Sequence, residues 1–72
     1  MTYFLTILPK KEDGTINRQL LEFNDLTSAT VGFHSNCAKY INAAGYDSLY
    51  CGVSDELGNI FDHKTWQREV TL

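Results

Sequence analysis

The sequence predicts an α+β domain with a single helix packed on one face of an antiparallel sheet, in the order β-β-α-β-β. Three observations carry that reading. Only residues 26 to 44, LTSATVGFHSNCAKYINAA, sustain an apolar repeat at helical spacing. The flanking segments are short and rich in β-branched and aromatic residues. Asp13-Gly14 on one side and Ser54 to Asn59 on the other read as hairpin turns.

The elements follow in order. TYFLTIL, residues 2 to 8, reads as a strand that Pro9 ends. The polar segment PKKEDGT then turns at Asp13-Gly14. INRQLLEF, residues 16 to 23, returns as a second strand, and its charges make it the less buried of the two. Asn24 or Asp25 is placed to cap the helix by accepting from its free N–H groups. Leu26, Thr30, Phe33, Cys37, Tyr40, Ile41 and Ala44 form the apolar stripe, and Gly45 suits a left-handed position past the helix end. YDSLYCGV, residues 46 to 53, reads as a third strand with Leu49, Cys51 and Val53 on one face. Ile60-Phe61 begins a fourth. Trp66, Arg68, Val70 and Leu72 then alternate as in a strand, while Trp66 and Val70 would also share a helix face. A bent or interrupted strand is the favoured form of residues 62 to 72. One apolar helix stripe is hidden most simply against one face of a sheet. With no repeat, linker or low-complexity segment, residues 1 to 72 are expected to form one domain.

Composition narrows the function. A chain that is 43% hydrophobic with nine aromatic residues has the material for a core, which argues against disorder. Its net charge is −3, and its nearest basic cluster, Lys10-Lys11, is followed at once by Glu12-Asp13. Direct nucleic-acid binding relies on clustered Lys and Arg and is not expected. MTYFLTILPKK lacks the basic start and small-residue cleavage site of a signal peptide, and no stretch is long enough to span a membrane. The expected location is the cytoplasm; a Cys37–Cys51 disulfide is sterically possible under the helix, and cytosolic reduction argues against it.

Chemistry has few places to reside. His34, Cys37, Cys51 and His63 are all the His and Cys in the chain, and four ligands match a tetrahedral zinc site. Only His34 and Cys37 have close spacing, so no metal or other cofactor is expected. A thiol enzyme would need Cys37 with His34 or His63 as base, yet the helix stripe buries Cys37. No phosphate-cradling loop, His-Glu-x-x-His or serine elbow is present, and the chain is read as non-enzymatic.

Interaction signals are more numerous. The outward face of the helix carries Ser28, Val31, Gly32, Ser35, Asn36, Lys39, Asn42 and Ala43, with one charge where a solvated helix usually shows several. Ser35, Asn36 and Lys39 are therefore candidate contacts. The aromatics outnumber the places under one helix, so the second sheet face is a candidate interface with Tyr50 and Trp66 as anchors. Asp55 and Glu56, with Glu12 and Asp13, lie in turns and are candidates to meet Lys or Arg on a target.

The opening strand MTYFLTIL, the Asp13-Gly14 hairpin, LEFNDLTSA leading into the helix and the hairpin after Gly45 together resemble small phage- and mobile-element-encoded inhibitors of host machinery. These include RNA polymerase inhibitors and anti-CRISPR proteins. DLTSA is also similar to the corresponding stretch of HicB-type antitoxins, whose partner-binding hairpin and helix would match residues 2 to 44, although no DNA-binding region follows. The resemblance is architectural and carries over no site residues. It implies a protein-binding module that occludes a nucleic-acid-handling surface on a host protein or nucleoprotein complex. The alternatives are a homo-oligomeric accessory protein, such as a homodimer, and a small zinc or thiol enzyme.

Overall fold

The computed structural model describes residues 1 to 68. Five elements follow in the expected order: β1 (Tyr3–Lys11), β2 (Gln19–Phe23), α1 (Leu26–Asn42), β3 (Tyr46–Asp55) and β4 (Ile60–Gln67). The strands form one antiparallel sheet in the order β2-β1-β3-β4, so β1 and β3 are central and β2 and β4 are edges.

Register decides which side chains share a face. Leu5 lies opposite Leu21 and Val53, and Ile7 lies opposite Gln19 and Cys51. Because alternate residues point to opposite sides, Leu5, Ile7, Pro9, Leu49, Cys51 and Val53 form one buried surface beneath the helix. α1 lays Ala29, Phe33, Cys37 and Tyr40 on it. Leu26, at the upper end of the expected stripe, is 36% exposed, and Ala29 is buried in its place. Gly32 faces the sheet side rather than the outer face. An added Cβ there would lie 2.9 Å from the ring of Phe23, which packs on the bare backbone.

Several boundaries differ from the sequence reading, each for a local reason. Pro9 does not end β1. The Pro9 carbonyl accepts from Asn17 N at 3.0 Å, so its missing N–H also points toward the β2 side, where the paired ladder has already stopped at Ile7–Gln19. β2 is correspondingly short. Residues 12 to 18 form a loop closed by Lys11 N to Thr15 O (2.8 Å) and Gly14 N to Lys11 O (2.9 Å), with Gly14 at φ 93°. β4 is a strand through Gln67, with Phe61 as the extra residue of a bulge between the Val53–Asp62 and Ser54–Ile60 pairs. Val70 and Leu72 lie outside the described residues.

The helix ends are held in two ways. Asp25 is the N-cap, its carboxylate accepting from Ser28 N (2.7 Å) and Ser28 Oγ (3.0 Å). The C-terminus stops at Asn42 instead of Ala44, and Gly45, at φ 93°, reverses the chain two residues beyond the Ala43 C-cap. The open carbonyls are met from β4's end. The guanidinium of Arg68 donates to Ile41 O (3.3 Å), Ala43 O (3.2 Å) and Tyr46 O (3.0 Å) while lying over the ring of Trp66.

Candidate functional site

A single helix covers one side of the sheet and leaves the other open. The open face presents Phe4, Thr6, Leu8 and Lys10 from β1, Leu20 and Glu22 from β2, Tyr50 and Gly52 from β3, and His63 and Thr65 from β4. Phe4, Leu8 and Tyr50 are half-buried, whereas Leu20 is 61% exposed, and Ile16 and Ile60 beside them are 56% and 65% exposed. Gly52 shapes the centre. The Tyr50 ring lies along the strand above it, so that an added Cβ at 52 would fall 2.5 Å from Tyr50 Oη. The tyrosine thereby covers the bare glycine backbone. Beside it, Leu8, Lys10, Ile16, Tyr50 and Thr65 line a shallow groove of about 380 Å³. Lys10 stands toward one end of the face, and Glu22, paired opposite Phe4, toward the other.

The sequence-predicted contacts separate on this scaffold. Tyr50 belongs to the open face. Trp66 pairs with Leu49 on the helix-covered side and packs against the core, so the two do not form a joint anchor. On the helix, Ser35 and Lys39 are exposed, with the Lys39 ammonium over the Tyr40 ring. Asn36 is half-buried and donates Nδ2–H to the Gly32 carbonyl at 2.8 Å.

Asp55 is not a free loop charge. It is the last residue of β3 and 5% exposed. Its Oδ1 accepts from Leu57 N and Asn59 N at 2.9 Å, and its Oδ2 from Asn59 Nδ2 at 3.0 Å. These bonds, that of the Asn59 side chain foremost, hold the carboxyl below its ordinary range. Gly58 at φ 86° completes the turn. Glu56 accepts from Thr2 N at 2.8 Å and donates its own N–H to Thr2 O at 3.2 Å, pinning the turn to the start of the chain. Glu56, Glu12 and Asp13 are all exposed. Asp13 accepts from Thr15 N at 2.9 Å, the bond that chiefly lowers its pKa.

The histidines and cysteines do not converge. Cys37 and Cys51 meet in the core as free thiols, His34 is exposed on the helix, and His63 stands on the opposite sheet face beside Gly52. Among the described residues no group of three or more His, Cys, Asp or Glu is placed to hold a metal ion. Burial, and then a hydrogen bond with Cys37, push the Cys51 thiol up to about 12, so it remains protonated near neutral pH.

Sequence reasoning leaves Leu5 or Phe4 as the residue that faces the helix, which the structure settles for Leu5, and does not single out Leu8 or Leu20. The signal for Phe4 and Leu8 is the unbroken run of TYFLTIL, which puts apolar residues on both faces of the strand. No family model matches the chain, and comparison with curated proteins and with solved structures finds no significant match either.

Proposed function

We propose that this chain is a non-enzymatic protein-binding module, a phage-type inhibitor of the anti-CRISPR-like kind, that occludes a nucleic-acid-handling surface on a host protein or nucleoprotein complex in the host cytoplasm. The observation that carries the reading is the open sheet face. Phe4, Leu8 and Tyr50 offer an apolar centre, and Leu20, Ile16 and Ile60 expose the apolar area that a partner would bury. The net charge of −3, exposed Glu12 and Asp13, and Glu22 at the face's rim favour a basic partner surface, the kind used to hold nucleic acid.

A photo-crosslinking residue placed at Leu20 and, separately, at Ser35 tests the reading in host cells. Crosslinks from position 20 to a nucleic-acid-handling complex are expected, with loss of binding by the Leu20→Arg/Ile60→Arg variant. Crosslinks from position 35 alone would move the contact to the helix. A partner with no nucleic-acid role would remove the inhibitor reading but keep the binding module.

A further inference from the structure

We propose that β4 pairs with β4 of a second copy, joining two molecules through one continuous antiparallel sheet. This goes beyond the reading above and stands without it. The two edges of the sheet differ. β2 has five residues, and the chain before it folds back, with Ile16 bridging Lys10 and Asn17 bonded to Pro9. β4 has eight residues, contains neither Gly nor Pro, and is exposed at every position except Trp66, which is half-buried. α1 lies chiefly over β3 and β1 and only touches either edge strand. Among the described residues no strand lies beyond β4, so its outward N–H and C=O groups form a template for a further strand; the outward His63 N–H is held by the Asp62 carboxylate at 2.9 Å, a bond that pairing would exchange for one across the two-fold axis.

The charges choose the occupant and the register. Asp62 and Lys64 flank His63 and point to the same side. A two-fold axis normal to the sheet keeps both helices on one side, and residues directly opposite must then belong to the same face. Centring the pair on Asp62 sets two carboxylates against each other, and centring it on Lys64 sets two ammonium groups together. Like charges directly opposite are unfavourable. Centring on His63 places Asp62 of each copy opposite Lys64 of the other, giving two complementary pairs. Edge charges usually repel any added strand; here their order excludes the neighbouring registers and fits this one. The joined sheet would double the open face without covering it.

Sedimentation equilibrium of the full chain should give twice its 8.2 kDa mass. Lys64→Asp should raise the dimer Kd at least about tenfold, because two attractive pairs become repulsive, and Asp62→Lys/Lys64→Asp should restore it. Independently, His63→Cys should form a covalent dimer with diamide, since directly opposite Cα atoms lie about 4.5–5.5 Å apart, within disulfide reach. Thr65→Cys should not, because its own counterpart would lie roughly 13 Å away along the strands. The cysteine pair needs no charge change and decides the matter if Lys64→Asp fails to fold. A monomer up to the solubility limit, a charge swap that fails to restore association, or crosslinking at 65 rather than 63 would overturn the proposal.

Discussion

The two faces of this sheet are cut from the same strands but use their side chains differently. Beneath α1, Leu5, Ile7, Cys51 and Val53 are fully enclosed, and the polar members at the margins are bonded within the fold. On the other side, Phe4, Leu8 and Tyr50 are only half-covered by their neighbours. The covered face is almost wholly apolar at its centre, whereas the open face mixes Phe4, Leu8, Leu20 and Tyr50 with Thr6, Lys10, Glu22, His63 and Thr65. What separates them is one helix, which is long enough to roof β1 and β3 once. The covered face carries stability, and the open one is left to solvent.

Substitutions can break that division. Phe33→Ala should cost about 3–5 kcal/mol in urea denaturation, because it empties a site that is 3% exposed. Phe4→Ala should cost clearly less; an equal loss would mean that the open face contributes to the core. Arg68→Ala should follow at about 1–2 kcal/mol, with the last turn of α1 losing hydrogen-exchange protection. Arg68→Lys should recover little, since an ammonium lacks the guanidinium fork that reaches Ile41, Ala43 and Tyr46 together.

Acid should sharpen the contrast. Asp55 closes the covered face, and its folded carboxyl is depressed, as are those of Asp25 and Asp13. Groups shifted this way stabilise the fold above the unfolded carboxylate value of about 3.9 and lose that contribution as pH falls through the folded value. Thermal melts should therefore be flat from neutral pH to about 4 and decline below it. Asp55→Asn should lower the neutral plateau and flatten the decline. An unchanged acid limb would mean that the turn does not depend on the charge.

The smallest effects belong to the open face. Leu20→Arg should change stability by under about 0.5 kcal/mol. Gly52→Ala should lift the Tyr50 ring off the strand, visible as altered tyrosine fluorescence, while melting scarcely moves, because the clashing atom is the far end of a mobile side chain. A large loss of stability in either variant would show that this face is structurally committed.

Much of the architecture was legible. The periodicity of residues 26 to 44, the Asp25 cap and the turns at Gly14 and Gly58 are local signals, and each appears where its chemistry places it. The failures involve partners distant in sequence. Pro9 reads as a strand end until one sees that β2 stops before reaching it. Asp55 reads as a solvated turn charge until its carboxylate is found turned inward. Gly32 reads as outer-face until Phe23 is laid on it, and Arg68 reads as one more alternating residue until it meets the helix end. The open face was expected as an interface, but only Tyr50 of its two named anchors lies there, because register sends Trp66 to the other side.

The central pairing of β1 with β3 also sets a time order. Tyr3 meets Asp55 and Lys11 meets Tyr46, so the two middle strands come from opposite halves of the chain. Each hairpin can form early and locally, and the first can also gather the adjacent helix, but β3 supplies Leu49, Cys51 and Val53 to the core only when the halves join. Closing so long a loop precedes much of the reward, so the docking of the two halves is expected to be the slow step of folding. Substitutions at Leu5 and Val53, which face each other across that seam, should slow refolding, whereas changes in the Asp55 turn should act mainly on unfolding.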